Sequence, residues 1–81
     1  MTRNFILDKI TALVRVVLNN EEIILAFETV ASEVEGWDSL RHIVIISSIE
    51  DEFNISIDTK ELIKISKVGD ICDIVSQKTN A

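Results

Sequence analysis

Ser39 and His42 are the residues whose types and spacing could support covalent chemistry. They stand three positions apart, so on a helix their side chains share one face. A serine activated by a histidine is a nucleophile, but such a site also needs a group that orients the histidine and a glycine-rich turn that exposes the serine. Neither is evident here. We therefore interpret His42 as a solvent-facing residue in the first turn of a helix and predict no catalytic residues.

The other reactive side chains give no metal or thiol site. Glu50, Asp51 and Glu52 are adjacent instead of standing at ligand spacing, and they form no EF-hand pattern, so we interpret them as a solvated face. Cys72 is the only cysteine and lies in an apolar stripe, which predicts a core residue. We expect no metal and no enzymatic activity, because convergent catalytic groups are lacking.

Ser39 could instead be a point of attachment. It follows Asp38 and opens an apolar, helix-like run, so its hydroxyl is expected near the unpaired amides of a helix start. A phosphate ester there would lie where the helix dipole favours negative charge. Alternatively, Ser39 is only a favourable first-turn residue, and position alone favours that second interpretation.

Two long helices are predicted around this position. The first covers residues 4–18 and should stop at Asn19-Asn20, because asparagine tolerates the left-handed conformation that ends helices. Its apolar face holds Ile6, Ile10, Leu13, Val14 and Val17. The second covers residues 39–53 with Asp38 as its N-cap. We assign its apolar face to Ile43, Ile46, Ile49 and Phe53, with Ile45 beside them.

The remaining chain predicts a short helix and a last longer one. Residues 58–61 (DTKE) form a capping box after an extended link, 54–57. Ser66 is the expected cap of the last helix, which Gly69 should weaken by about 1 kcal/mol relative to alanine. The apolar residues of that helix are Val68, Ile71, Cys72, Ile74 and Val75. We expect the tail, residues 77–81, to be frayed.

These elements predict an all-α fold, a small four-helix bundle of three longer helices and one short helix. We predict that residues 19–38 form a long, partly packed loop between helices 1 and 2, with one helical turn in it. Such a loop is unusual in a compact domain unless it is functional. The length of 81 residues predicts a single domain, 1–81.

Composition bounds the class of protein. Fourteen acidic against eight basic residues give a formal charge of −6, which argues against nucleic-acid binding and suits basic protein partners. The N-terminus lacks the pattern of a signal peptide, and no apolar run reaches the length of a membrane span. Together with the single cysteine, this predicts a cytoplasmic location.

The strongest functional signal surrounds Ser39, where the chain reads Gly36-Trp37-Asp38-Ser39-Leu40. This segment resembles the phosphopantetheine attachment motif of acyl carrier proteins. The resemblance extends along essentially the whole chain, through the helix ending in Glu50-Asp51-Glu52-Phe53, the Ile55-Ser56-Ile57-Asp58 link and the Ser66-Lys67-Val68 start of the last helix. The long loop before the motif is also a feature of that family.

The resemblance implies a role for each motif residue. Ser39 would take the 4′-phosphopantetheine arm from coenzyme A, in a reaction performed by a phosphopantetheinyl transferase. Asp38 would lie beside the metal site of that transferase, and Leu40 would contact the transferase and the acyl-loading and acyl-transfer enzymes. The chain would be a monomeric, stand-alone carrier of thioester-linked acyl groups and not a catalyst.

Departures from the family pattern indicate a specialised pathway. Trp37 replaces a small or aliphatic residue, and acids near the start of the second helix are replaced by Arg41, His42 and Val44. We expect polyketide, lipid-modification or aminoacyl chemistry, with fatty acid biosynthesis as the other possibility. The predicted partner-binding residues are Leu40, Arg41, Val44, Glu50 and Asp51. The alternative class is a non-catalytic helical interaction domain without a prosthetic group.

A second hypothesis from the resemblance concerns the interior of the bundle. An acyl chain could lie between the helices of the carrier. Its walls would be drawn from Ile43, Ile46, Ile49, Leu62 and Ile71. The competing interpretation is that these residues only pack against one another.

Overall fold

The computed structural model describes residues 1–79, and the regular elements in this range are helices. The four α-helices are α1 (Arg3–Val17), α2 (Ser39–Phe53), α3 (Thr59–Leu62) and α4 (Val68–Thr79), and a 3₁₀ turn covers Ala31–Glu33. Helix α1 packs against both α2 and α4. The predicted bundle of three longer helices and one short helix is confirmed, as is the long connection between the first two.

Helix α1 forms as its sequence pattern predicts. The Thr2 hydroxyl accepts a hydrogen bond from the amide of Phe5 at 3.1 Å and caps the first turn. The buried stripe consists of Ile6, Ile10 and Val14, which stand four residues apart. Asn19 has a φ of 51°, so the expected left-handed stop is confirmed.

Helix α2 begins at Ser39 and ends at Phe53, as predicted, but one residue of its assigned core face is wrong. The buried residues are Ile45, Ile46 and Ile49, whereas 64% of Ile43 is exposed. At about 100° per residue, Ile43 points roughly 100° away from the centre of the buried face. His42 falls on that face, between the directions of Ile45 and Ile46.

Helix α3 has the predicted capping box. The Asp58 carboxylate accepts from the Glu61 amide at 3.0 Å, and the Glu61 carboxylate accepts from the Asp58 amide at 3.2 Å. Both helix-start amides are therefore satisfied by side chains within one turn.

The predicted Ser66 cap of α4 is wrong. The helix begins at Val68, and a carboxylate inside its first turn reaches back towards the preceding residues. Asp70 accepts hydrogen bonds from the Ser66 amide at 2.9 Å, the Ser66 hydroxyl at 3.2 Å and the Lys67 amide at 3.1 Å. Ser66 donates its hydroxyl proton to this carboxylate instead of capping the helix. These hydrogen bonds, the Ser66 amide first, hold the pKa of Asp70 below its ordinary value.

The predicted fraying of the tail is wrong for residues 77–79, which continue α4. Lys78 lies 3.0 Å from the Glu61 carboxylate, and the Thr79 hydroxyl donates to the carbonyl of Val75 at 2.8 Å. Asn80 and Ala81, the other residues of the predicted frayed tail, lie outside the described residues.

The long loop is fastened to the start of α4. The Val68 amide donates to the carbonyl of Thr29 at 2.9 Å, and the Gly69 amide donates to the carbonyl of Phe27 at 2.7 Å. These two amides belong to the first turn of α4, where no intrahelical acceptor is available. The loop therefore completes the hydrogen bonding of α4 and is held in place by it.

The loop also contributes to the core, as its apolar residues suggest. Ile23, Leu25, Ala31 and Trp37 are buried together with the inner faces of the helices. Cys72 is fully buried, which confirms its predicted role in packing. Burial raises the pKa of its thiol to about 11. Within residues 1–79, no helix has both the length and the apolar character needed to cross a membrane.

Candidate functional site

Ser39 is the first residue of α2, and its side chain is exposed. The helix reaches this position because the backbone of Asp38 is extended, with φ −97° and ψ −177°, and its carboxylate caps the turn that follows. Among the described residues, the Ser39 hydroxyl has no hydrogen-bond partner. This oxygen is therefore accessible from solvent without any rearrangement of the fold.

Asp38 holds the start of α2 through two contacts with one residue. Its carboxylate accepts from the Arg41 amide at 2.8 Å and pairs with the Arg41 guanidinium at 2.8 Å. The amide hydrogen bond, followed by the guanidinium charge, holds the pKa of Asp38 below its ordinary value. Both side chains are about half exposed, so the ion pair itself contributes little to stability. The two sequence-predicted residues Asp38 and Arg41 are thus brought together beside Ser39.

A cleft of about 390 Å³ opens next to the Ser39 side chain. One wall is the loop segment 30–32, and another is the link formed by Ile65 and Ser66. Trp37 and the first turn of α2, including His42, complete the lining. The cleft therefore lies where the chain enters α2, and any group attached to Ser39 would start at its edge.

Trp37 and His42 are joined by a hydrogen bond inside this cleft. The indole Nε1–H donates to His42 Nδ1 at 3.0 Å, and the two ring centroids are 6.0 Å apart. Trp37 is only 6% exposed, and His42 is half-buried. The interpretation of His42 as solvent-facing is therefore wrong. Burial disfavours the imidazolium and lowers the pKa of His42 below its ordinary value of 6.5.

The sequence contains the signal that places His42 inward. It stands three, four and seven positions before the buried residues Ile45, Ile46 and Ile49, which is the spacing of one helical face. The role of Trp37 is harder to foresee, because the residue precedes the helix and is positioned by the loop.

The predicted partner-binding residues divide into two groups. Leu40 and Val44 are exposed and lie one turn apart on the outer face of α2, and the exposed Asp51 falls on the same side. Arg41 is paired with Asp38, as described above. Glu50 is half-buried, and its carboxylate accepts from the Ile57 amide at 2.8 Å. That contact ties the link after α2 to the helix, so Glu50 is not part of a purely solvated face.

The residues proposed to line an acyl-binding interior are only partly together. Ile46, Ile49 and Ile71 are buried in one core, and Leu62 packs against it half-buried. Ile43 is exposed and lies outside that group. Elsewhere in residues 1–79, no group of three or more His, Cys, Asp or Glu side chains is placed to hold a metal ion.

A helical bundle that presents a serine at the start of its second long helix is the architecture of a carrier domain. A family model described as a phosphopantetheine attachment site matches residues 8–75. The chain therefore belongs to the phosphopantetheine-attachment family of acyl carrier proteins. Members of this family are carriers and not catalysts, so the chain is not an enzyme, and the prosthetic group of the family is phosphopantetheine.

Individual relatives agree with this assignment. An acyl carrier protein homolog of Mycoplasmopsis pulmonis (strain UAB CTIP) is 40% identical over 52 residues, which are 64% of this chain and 70% of the relative. The solution NMR structure of a holo acyl carrier protein from Geobacter metallireducens matches with a TM-score of 0.85 and 38% identity, over 91% of this chain and 85% of that one. A putative acyl carrier protein from Mycobacterium tuberculosis matches with a TM-score of 0.80 and 28% identity, over 89% of this chain and 96% of the other.

Proposed function

We propose that the protein is a stand-alone carrier that holds acyl intermediates as thioesters on a 4′-phosphopantetheine arm attached to Ser39. The observation that carries this proposal is the placement of Ser39. It is the exposed first residue of α2, it has a free hydroxyl, and it lies inside the segment that the family model matches. The arm supplies a flexible tether ending in a thiol, and the tether raises the effective concentration of the cargo at each partner enzyme.

The residues around Ser39 have distinct roles in this proposal. Ser39 Oγ is the attachment atom. Asp38 keeps the first turn of α2 in place, so that Ser39 stands on a fixed backbone where the phosphopantetheinyl transferase can reach it. Leu40 follows directly and is 69% exposed, which leaves an apolar side chain next to Ser39 for the transferase to bury.

The outer face of α2 is the proposed surface for partner enzymes. Leu40 and Val44 form its apolar part, and Asp51 adds a carboxylate towards the end of the helix. Arg41 contributes a cation that is already balanced by Asp38, and Glu50 adds its charge while its carboxylate binds the Ile57 amide. A partner fitting this surface would combine an apolar contact near Ser39 with basic groups further along the helix.

The sequence of α2 supports a specialised pathway. Arg41, His42 and Val44 stand where a purely acidic helix start would attract basic partners, so a different set of enzymes is expected. We propose polyketide, lipid-modification or aminoacyl chemistry, with fatty acid biosynthesis as the alternative. A single domain, a monomeric state and a cytoplasmic location stay predictions.

The test is the intact mass of the protein after incubation with coenzyme A and a broad-specificity phosphopantetheinyl transferase. We expect a gain of one phosphopantetheine in the wild type and in Ser32→Ala, a matched serine of the same cleft. Ser39→Ala should gain nothing. Circular dichroism of each variant confirms that it is folded. A folded wild type that gains no mass would contradict the attachment and favour a helical interaction domain without a prosthetic group.

A further inference from the structure

His42 lies one helical turn after Ser39, and both residues line the same cleft. Residues three apart on a helix have neighbouring Cβ atoms, about 5–6 Å from one another. The imidazole of His42 is therefore within reach of the first few atoms of any group esterified to Ser39 Oγ. No part of the proposed attachment role requires a histidine at this position, so the residue calls for its own explanation.

The hydrogen bond from Trp37 fixes which nitrogen of His42 carries the proton. An indole N–H can only donate, so the Nδ1 atom that it contacts at 3.0 Å must offer a lone pair. The neutral ring consequently carries its hydrogen on Nε2. Because burial lowers the pKa of His42, this neutral form predominates at neutral pH. The cleft is thus lined by a ring whose remaining polar group is an N–H donor.

We propose that the cleft binds the phosphodiester of the arm on Ser39, with His42 Nε2–H donating a hydrogen bond to one of its non-bridging oxygens. This inference rests on the proposed attachment at Ser39. A phosphodiester is an anion, and a hydrogen bond from N–H to an anionic oxygen is about twice as strong as one between neutral groups. Trp37 is then a positioning residue, because it holds His42 in the donating tautomer.

Among the residues that line the cleft, His42 is the one whose side chain titrates near neutral pH. Asp38 also lines the cleft, but its pKa is lowered and its carboxylate is engaged by Arg41. The other walls contribute the hydroxyls of Ser32 and Ser66 and apolar side chains. The charged residues adjacent in sequence to those walls are Glu33, Lys64 and Lys67. The reference pKa values of glutamate and lysine side chains, about 4.3 and 10.4, both lie outside the range between pH 5 and 8.

The chain is well suited to a direct test by NMR, because it contains one histidine and one tryptophan. The loaded protein also contains a single phosphorus atom, in a phosphodiester that does not itself titrate between pH 5 and 8. We expect its ³¹P resonance to shift with pH along a single titration curve. The midpoint should match the pKa of His42 measured from its ring ¹⁵N resonances. The pKa of His42 should rise by about one pH unit when the arm is attached, because an anion stabilises the imidazolium.

Two variants test the titrating ring and its tautomer separately. In loaded His42→Gln, the ³¹P resonance should show no pH-dependent inflection, although the protein remains folded by circular dichroism. In Trp37→Phe, which keeps an aromatic ring but removes the N–H, the ¹⁵N shifts of unloaded His42 should move from a pure Nε2–H tautomer towards a mixture of the two. His42 should then lose the uniform tautomer that the donor role requires.

The outcomes distinguish this inference from the proposed function. If the mass shows loading but the ³¹P resonance is flat and the pKa of His42 is the same with and without the arm, the cleft does not bind the phosphodiester. The attachment at Ser39 would stand in that case. If the mass shows no loading of the folded protein, the attachment fails and this inference fails with it.

Discussion

The carbonyl oxygen of Phe27 accepts a hydrogen bond from the Gly69 amide at 2.7 Å, which brings the loop backbone directly onto α4. A Cβ atom on Gly69 would lie 2.8 Å from the same oxygen and 3.3 Å from the Phe27 Cβ. A carbonyl oxygen and a Cβ atom are both fixed by the backbone, so turning a side chain cannot relieve these contacts. Gly69 therefore permits the approach that fastens the functional loop to the last helix.

Gly69→Ala should destabilise the fold although alanine is the better helix former. The helix gains about 1 kcal/mol from the substitution, but the loop must shift and weaken its hydrogen bonds to α4. We expect the free energy of unfolding to fall by about 1 to 3 kcal/mol net in urea denaturation. Gln77→Ala, an exposed position of the same helix, should change it by no more than about 0.5 kcal/mol. A more stable Gly69→Ala would show that the loop is not held this closely.

Helix boundaries were predictable where the signal is local. The α2 boundaries follow from the Asp38 cap and the apolar spacing up to Phe53, and the box at Asp58 and Glu61 lies within a single turn. From the sequence alone, Gly69 is predicted only to weaken the last helix. Its contact with Phe27 cannot be predicted, because the two residues are far apart in the chain. The predicted start of α4 is wrong for a different and local reason, because the Asp70 carboxylate accepts from the Ser66 amide and hydroxyl from inside the helix.

The candidate site was predictable at Ser39 and less so around it. Residues 43–46 are all apolar, so the sequence does not fix the rotation of α2. The prediction of Ile43 inward and His42 outward is wrong for this reason. The packing of Trp37 favours the observed rotation of α2, because the buried indole donates a hydrogen bond to His42 in the first turn. That arrangement depends on the path of the long loop, which local sequence patterns do not determine.

Acidification should loosen the contact between Trp37 and His42. The pKa of His42 is lowered in the folded state, so the unfolded chain binds its proton first. The stability that this depressed pKa contributes is fully present above the ordinary value of 6.5 and is lost as pH falls through the folded value. We expect the melting temperature and the fluorescence of Trp37, the only tryptophan, to change together in this window.

His42→Gln is the control for this pH dependence, because glutamine can still accept from the indole but does not titrate. Its melting temperature should be flat over the window in which the wild type changes. Both proteins have the same carboxylates, so the contribution of those groups cancels in the comparison. Identical pH profiles for the two proteins would contradict the assignment.

The thiol of Cys72 should be unreactive in the native protein. Its pKa of about 11 lies two pH units above the ordinary value of 9.0, so the thiolate fraction near pH 8 falls about a hundredfold, and the side chain is fully buried. We expect iodoacetamide at pH 8 to leave the unloaded protein unmodified by mass and to alkylate it in denaturant. The loaded protein should react once, at the arm. Rapid alkylation of the native unloaded protein would show that the core opens readily.

Val44→Asp should impair partner enzymes and leave the fold intact. Val44 is 46% exposed, so we expect the free energy of unfolding to change by no more than about 1 kcal/mol. Loss of an apolar contact in a complex should lower the kcat/KM of loading by the transferase by about tenfold. Val16→Asp changes an equally apolar residue on α1 that is 78% exposed, and loading should be unaffected. Equal kinetics for both variants would exclude Val44 from the partner surface.

A long acyl cargo tests whether the interior of the bundle opens to it. Ile46, Ile49 and Ile71 are buried in one core, and Leu62 packs half-buried against the same core. An acyl chain held only by the folded state must stabilise that state, so we expect a higher melting temperature for a long-acyl form than for an acetyl form. Leu62→Phe should reduce this difference by filling space at the edge of that core. Equal melting temperatures for the two acyl forms of the wild type would mean that these residues only pack against one another and that the cargo stays outside.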